Sequence, residues 1–238
     1  MSAPLVLLPG WGLGRGPLTV VANALGGEVF DLPGYGEAPL IDDFDSAIDA
    51  IASYLPPGTT LAGWSLGALL ALGIAARAPD KVGRLILVAG TASFIQRDGW
   101  PNAMPPTILA EFAAGVAADA ATQLPRFVGG FCRGDAQARS VNRQLLELGQ
   151  PWPAATTLAT GLAWLCRADL RAAAPLVRAP TLLIHGTADP LMPLAAGQAL
   201  AALIPGARLS VMNDCAHAPF TSRPDDFVTR VQAFLHAT

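Results

Sequence analysis

The pentapeptide Gly63-Trp64-Ser65-Leu66-Gly67 is the part of the sequence that most directly indicates chemistry. It matches G-x-S-x-G and lies between a short β-rich run and a long uncharged helical stretch. In a sharp strand-to-helix turn, glycines are needed on both sides because a Cβ there would collide with the neighbouring strand and helix. The pattern therefore predicts a nucleophilic serine at Ser65, with the backbone N–H of Leu66 as one donor of an oxyanion hole.

A serine hydroxyl becomes a nucleophile only when a base takes its proton, and the chain has three histidines. His217 follows the last predicted strand, in a loop where a base can face the serine, and we expect it to be the general base. His185 ends a predicted strand, and we expect it to close the loop that carries the acid. His236 is expected on a solvated helix end.

The acid that orients the histidine is predicted to be Asp189. It directly follows a predicted strand and lies between Ser65 and His217 in the chain, which is the order that α/β-hydrolases use. Its carboxylate would accept the Nδ1–H of His217 and fix the tautomer. The alternative role for Asp189 is a helix N-cap or a turn residue ahead of Pro190. Asp214 is so near His217 in sequence that its carboxylate could not easily reach the imidazole ring.

A second oxyanion donor is expected from the glycine-rich loop Pro9–Gly14 after the first strand. The N–H of Trp11 is the candidate, and its indole would wall an acyl pocket. The alternative is a tryptophan that only covers the core. The glycines are spaced G-x-G-x-G and not G-x-G-x-x-G, so a dinucleotide site is set aside.

Composition indicates one large domain that folds alone, since 52% of the 238 residues are apolar and 14% are charged. The net charge of −3 gives no electrostatic reason to expect nucleic acid or an anionic membrane. We expect neither partner, a monomer, and no metal or organic cofactor. Cys132, Cys166 and Cys215 form neither a CxxC pair nor a disulfide framework, which fits a reducing cytoplasm. No signal peptide or transmembrane segment is predicted.

The elements that must position these residues alternate between short β-rich runs and longer Ala/Leu-rich stretches, which predicts an α/β fold with βα units. Strands are predicted over 5–8, 28–31, 59–62, 85–88, 181–185 and 209–212, and helices over 18–25, 44–55, 66–77, 194–203 and 225–236. From 94 to 174 the alternation stops, and helices are punctuated by Pro105-Pro106, Gly129-Gly130, Gly134 and Pro151-Trp-Pro153. We therefore predict a core of residues 1–93 and 175–238 with a mostly parallel sheet of about six strands flanked by helices. Residues 94–174 are predicted to form a helical cap over one end of the sheet.

Six motifs spread over nearly the whole chain carry a family resemblance: Leu7–Leu13, Asp31–Gly36, Gly63–Gly67, Arg97–Pro101, Asp169–Arg171 and His217–Phe220. The sequence resembles the α/β-hydrolases of the biotin pathway that hydrolyse the methyl ester of pimeloyl-acyl carrier protein. The resemblance implies a serine carboxylesterase with an α/β-hydrolase fold and the same catalytic triad. A general short-chain carboxylesterase and a non-catalytic interaction protein on the same fold stay as alternatives.

The resemblance also implies binding residues. The oxyanion hole would use the N–H groups of Trp11 and Leu66, and cap residues Phe127 to Phe131 would line the acyl chain beside Ser65 and His217. The sequence also departs from the family in two features, one in the oxyanion loop and one at the edge of the sheet. Pro9 stands where the family commonly has a histidine, so the oxyanion loop must be supported differently. The family's N-terminal extension, which adds strands at the sheet edge, has no counterpart, and this predicts the smaller sheet.

A basic cap face is implied for the acyl carrier protein, through Arg126, Arg139 and Arg143, while a fourth family position is Thr122. Between residues 122 and 145 four arginines and one acid, Asp135, give a local charge of +3. The alternative is an ordinary solvated surface.

Overall fold

The computed structural model describes residues 3–237, and its centre is one sheet of six strands. The spatial order is β2-β1-β3-β4-β5-β6, and all five pairings are parallel. The predicted sheet of about six strands flanked by helices is confirmed. The strands are β1 (Leu5–Leu8), β2 (Glu28–Val29), β3 (Thr59–Trp64), β4 (Val82–Val88), β5 (Thr181–Gly186) and β6 (Arg208–Met212).

Nine α-helices are described between residues 3 and 237. They are α1 (Gly16–Leu25), α2 (Phe44–Tyr54), α3 (Leu66–Arg77), α4 (Pro106–Phe131), α5 (Ala138–Leu148), α6 (Ala155–Arg167), α7 (Leu194–Leu203), α8 (Pro219–Ser222) and α9 (Pro224–His236). Local signals explain several boundaries. The Asp43 carboxylate accepts the N–H of Ser46 at 2.7 Å and begins α2, while Gly26, with φ 68°, ends α1 in a left-handed conformation.

Both faces of the sheet are buried, as expected for parallel strands. Along β1 the side chains alternate between two apolar clusters: Val6 and Leu8 pack with α2 and α3, and Leu5 and Leu7 pack with α1 and α9. Helix α3 is buried over nearly its whole length, which explains its lack of charge between Leu66 and Ala76. No helix in the described part of the chain is both long and apolar enough to span a bilayer.

The strands end nearly in register, so one edge of the sheet collects the loops that follow them. Leu8 pairs with Gly63, Trp64 with Val88, and Gly186 with Met212. The loops that begin at Pro9, at Ser65, after β5 and after β6 all leave from this edge, where open α/β sheets place their ligands.

The segment from 94 to 174 holds α4, α5 and α6, and it joins β4 to β5. The expected break at Gly129-Gly130 is wrong, because α4 continues through both glycines to Phe131. The interruption lies earlier, at Asp119, where φ is −156° and ψ is 81°, and the Asp119 side chain caps the next turn through the N–H of Thr122. Gly134 lies between α4 and α5, where the chain does turn.

Candidate active site

The turn between β3 and α3 consists of Ser65 alone, since β3 ends at Trp64 and α3 begins at Leu66. Ser65 has φ 55° and ψ −115°, a conformation that a residue with a Cβ adopts only under strain. Its N–H donates to the carbonyl of Val88 at 3.0 Å and so attaches the turn to the neighbouring strand. A strained serine held by two strands is the elbow that the sequence predicted.

The glycines on either side of Ser65 are required by space. A Cβ on Gly63 would collide with the carbonyl oxygen of Gly67, and a Cβ on Gly67 would collide with the carbonyl oxygen of Leu8. Helix α3 therefore approaches β1 and β3 closely enough to leave no room for a methyl group at either position.

Ser65, His217 and Asp189 form one hydrogen-bonded chain. Nε2 of His217 lies 2.9 Å from Oγ of Ser65, and Nδ1 lies 2.8 Å from Oδ2 of Asp189. An ionised carboxylate only accepts hydrogen bonds, so Nδ1 carries the proton and Nε2 presents its lone pair to the serine hydroxyl. The indole N–H of Trp64 donates to the carbonyl of His217 at 2.8 Å and holds the histidine backbone against the elbow.

The other oxygen of Asp189 closes the turn that carries it. Oδ1 accepts the N–H groups of Leu191 at 2.9 Å and Met192 at 2.8 Å, so Asp189 is both a partner of the histidine and a turn residue. His185 lies behind this turn, with Nε2 2.6 Å from the carbonyl of Met192. Burial lowers the pKa of His185, which keeps it neutral, and Nε2–H donates to that carbonyl. His236 is exposed in the last turn of α9.

The loop Pro9–Gly14 is supported by two hydrogen bonds that the sequence did not reveal. The indole N–H of Trp11 donates to the carbonyl of Leu158 at 2.9 Å, and the N–H of Gly12 donates to the hydroxyl of Tyr35 at 2.8 Å. Burial raises the pKa of Tyr35 to about 12, although the Gly12 N–H acts in the opposite direction. Tyr35 therefore supports the loop that begins at Pro9. The only sequence signal was its place in the Asp31–Gly36 motif.

The two candidate oxyanion donors differ in how their side chains lie. Trp11 is buried beside α6, where a Cβ on Gly161 would come within 2.5 Å of the indole Cδ1 atom. The side chain of Leu66 lies in the core cluster with α2 and α3, so only its backbone is able to contact a substrate. Its N–H belongs to the first residue of α3, where helix amides have no partner within the helix.

A small pocket opens directly on the serine, and five of the residues expected at the substrate meet there. Trp11, Ser65, Phe127, Phe131 and His217 all line it. The aromatic rings pack edge to face: Trp11 and Phe127 have centroids 5.4 Å apart, Phe127 and Phe131 5.2 Å, and Phe131 and His217 5.2 Å. Helix α4 thus forms one wall of the pocket.

Two larger spaces adjoin this pocket and share Phe127 with it. One is an apolar cavity of about 140 Å³ between Trp11, α4 and α6, and none of its lining side chains is charged. The other is a groove of about 490 Å³ that runs past Phe131 to Arg126 and Arg133. An acyl chain therefore finds apolar walls beside the serine, and the groove leads from those walls to positive charge.

The arginines that the family resemblance singled out lie on two successive helices. Arg126 lies on α4, while Arg139 and Arg143 lie four residues apart on α5, and all three are exposed. Arg133, in the turn between α4 and α5, is also exposed. Within residues 3–237, none of these arginines forms an ion pair with an acidic side chain.

No group of three or more metal-ligating side chains occurs among the residues that the structure describes.

The comparisons with known proteins agree with one another. Residues 5–230 match the model of the alpha/beta hydrolase family. The chain is 40% identical to a pimeloyl-[acyl-carrier protein] methyl ester esterase of Aromatoleum aromaticum, over 98% of each chain. It is 37% identical to the protein of the same name from Nitrosomonas europaea, over 94% of this chain and 92% of that one. Among solved structures, an esterase from Exiguobacterium antarcticum superposes with a TM-score of 0.89 at 23% identity, over 99% of this chain and 92% of the other.

Proposed function

Because the chain belongs to the alpha/beta hydrolase family and, within it, to the pimeloyl-[acyl-carrier protein] methyl ester esterases, we propose that it hydrolyses the methyl ester of pimeloyl-acyl carrier protein. The products are free pimeloyl-acyl carrier protein and methanol, and the reaction belongs to biotin biosynthesis. In this proposal the enzyme acts in the cytoplasm as a monomer. The prediction of this family from the sequence is confirmed. The observation that carries the proposed activity is the continuous series of hydrogen bonds from Ser65 through His217 to Asp189. Ser65 and His217 line a pocket with largely apolar walls.

The first half of the reaction is acylation of the enzyme. Ser65 Oγ attacks the ester carbonyl carbon while its proton passes to Nε2 of His217, 2.9 Å away. The N–H groups of Trp11 and Leu66 donate to the oxygen that becomes negative. The intermediate collapses as the bond to methoxide breaks, and methoxide takes the proton from His217 and leaves as methanol.

The second half is deacylation by water. His217 removes a proton from the water that attacks the acyl-enzyme carbonyl, and the same proton returns to Ser65 Oγ when the acyl–oxygen bond breaks. Asp189 stays ionised throughout, because its role is to stabilise the imidazolium and to keep Nδ1 protonated. The product is a carboxylic acid at the end of the pimeloyl chain far from the carrier protein, and it becomes a carboxylate by releasing its remaining proton to water.

The substrate path follows from the shape of the site. The methyl ester lies at Ser65, and the acyl chain runs along Phe127 and Phe131 into the groove that ends at Arg126 and Arg133. At the outer end of the groove, these arginines together with α5 face the acidic carrier protein. Residues 94–174 act in this proposal as a cap that both walls the pocket and presents the docking surface.

A general short-chain carboxylesterase is the second candidate function. It is favoured by the apolar cavity of about 140 Å³, which accepts a short acyl chain without any carrier protein. The hydrogen-bonded triad argues against a non-catalytic interaction protein, because such a protein has no need for a strained serine aligned with a base.

The two esterase functions are separated by exchanging charge on α5. In the double variant Arg139→Glu/Arg143→Glu, kcat/KM for the carrier-linked ester is expected to fall at least tenfold, while kcat/KM for free dimethyl pimelate stays within about twofold. Added salt mimics this loss in the unmodified enzyme, since exposed charges are screened within about 10 Å at 0.1 M.

The matched control is Arg178→Glu/Arg208→Glu, which makes the same change in net charge. Both residues are exposed and lie at the amino ends of β5 and β6, on the sheet edge opposite the triad. This control is expected to leave both substrates unaffected. Equal losses on both substrates in the α5 variant would mean that the arginines only hold the cap together, and the carrier-protein part of the proposal would be withdrawn.

A further inference from the structure

Asp135 is a buried carboxylate that the triad does not include. The sequence placed it among the charges of the cap surface, but its side chain lies inside, with 7% of the residue exposed. It belongs to the turn between α4 and α5, and none of the ion pairs within 3–237 involves it. A buried charge is costly unless hydrogen bonds compensate it, so its partners indicate its role.

The partners of Asp135 tie the cap turn to the loop of the catalytic histidine. Oδ2 accepts the N–H of Ala216, the residue directly before His217, at 2.8 Å. Oδ1 accepts the hydroxyl of Ser222 at 2.8 Å and the N–H of Gln137 at 2.7 Å. All three partners are donors, which is the arrangement that an ionised carboxylate satisfies and a neutral amide does not.

Further contacts between the same two segments make the connection rigid. The N–H of Ala136 donates to the carbonyl of Asp214 at 2.8 Å, and the side-chain amide of Gln137 donates to the carbonyl of Ser222 at 2.9 Å. Asp214 has φ 57°, a left-handed conformation that needs such support in a residue with a side chain. The histidine loop therefore leaves β6 through a strained residue that the cap turn holds in place.

We propose that Asp135 is a positioning residue for His217. By fixing the Ala216 amide, it sets the height of the imidazole over Ser65, and because it lies in the turn that follows α4, it couples the wall of the substrate pocket to the base. The proposal rests on the proposed function only in taking His217 as the general base.

The substitution Asp135→Asn tests this with little change in volume. An asparagine has one acceptor oxygen for two sites, so its amide group must face either the Ala216 N–H or the Gln137 N–H, donor against donor. We expect kcat for a small free ester to fall about tenfold with KM changed less than about twofold, because the base is displaced while the apolar pocket is kept.

The matched control is Asp169→Asn, the same substitution elsewhere in the 94–174 segment, in a residue that pairs with Arg97 and Arg171. This control is expected to lose stability and keep kcat. A second readout does not depend on the choice of ester: the low-field proton resonance of the Nδ1–H shared by His217 and Asp189 should shift or broaden in Asp135→Asn and stay unchanged in Asp169→Asn.

A folded Asp135→Asn protein with wild-type kcat and an unchanged resonance would overturn the proposal. If Asp135→Asn fails to fold, Ser222→Ala removes one donor and keeps the carboxylate, and a fall in kcat of about two- to fivefold is then expected. An unchanged kcat and resonance in that variant would equally overturn it. If the wild-type protein cleaves no ester while the resonance still responds to Asp135→Asn, the proposed function fails and the positioning role stands.

Discussion

Replacing Tyr35 by Phe removes one oxygen from the fold and leaves one buried amide without a partner. The Tyr35 hydroxyl accepts the N–H of Gly12 at 2.8 Å, and both residues are buried. Gly12 follows Trp11, whose own N–H is the proposed oxyanion donor. The substitution therefore acts on the donor through one peptide unit, without touching the substrate or the triad.

The size of the effect follows from the cost of a buried unsatisfied N–H, about 1–3 kcal/mol. For a chain of this length each kcal/mol lowers Tm by about 2–4 °C, so Tyr35→Phe is expected to lower Tm by roughly 2–12 °C. Removing an oxyanion donor altogether costs about 10²–10³ in kcat. A donor that is only less firmly held loses part of that, and we expect kcat to fall about tenfold with KM nearly unchanged.

The assay is steady-state hydrolysis of a short-chain p-nitrophenyl ester, alongside thermal unfolding of the same samples. The chain provides a matched control, since its other tyrosine, Tyr54, is 77% exposed. Tyr54→Phe is expected to change neither Tm nor kcat. A Tyr35→Phe enzyme with wild-type kcat and a lowered Tm would refute the link between Tyr35 and the oxyanion loop, and an unchanged Tm would refute the hydrogen bond itself.

Two other groups give sharp expectations. The Arg171 side chain lowers the pKa of Asp169, so its stabilising effect is complete above the ordinary Asp pKa and is lost as the pH falls through the lowered one. The Tm difference between wild type and Asp169→Asn should be about 2–4 °C at pH 7, should begin to narrow below about pH 4 and should vanish once the pH is below the lowered pKa of Asp169. A gap that stays constant through this whole range would contradict the ion pairing. Burial raises the pKa of Cys132 to about 12, whereas Cys166 is exposed. Iodoacetamide at about pH 8 should therefore label native protein at Cys166 and spare Cys132 in peptide mass mapping, and early labelling of Cys132 would show that the end of α4 opens.

The elements of the core were accessible to sequence reasoning because their signals are local. Helices over 66–77 and 194–203 and the strand over 5–8 were predicted with the boundaries that the structure has, since glycines, prolines and apolar runs mark their ends. The strand predicted over 28–31 is shorter in the structure, where β2 ends at Val29 at the edge of the sheet. In the cap, Gly129-Gly130 indicated a break, yet α4 packs Val128 and Phe131 into the core, and tertiary packing overrides the low helix propensity of glycine.

The triad residues were also identified from local motifs, and the structure brings Ser65, Asp189 and His217 into contact, while their catalytic roles stay predictions. The hydrogen bonds that support the site could not be found in this way. Asp135 is 81 residues from Ala216, and Gly12 is 23 residues from Tyr35. No pattern of residue spacing in the sequence predicts such distant pairs. The sequence analysis counted Asp135 only in the local charge of residues 122–145, because a lone acid among arginines gives no sign of burial.

The central claim is tested most directly by the intact mass of the carrier protein after the methyl ester of pimeloyl-acyl carrier protein is incubated with the enzyme. The account predicts that wild type converts the carrier to a species lighter by one CH2 group, with release of methanol. Ser65→Ala, equally folded, should leave the ester in place, with a rate lower by several orders of magnitude. A carrier that keeps its full mass with the wild-type enzyme, or that loses the methyl group equally fast with Ser65→Ala, would contradict the account.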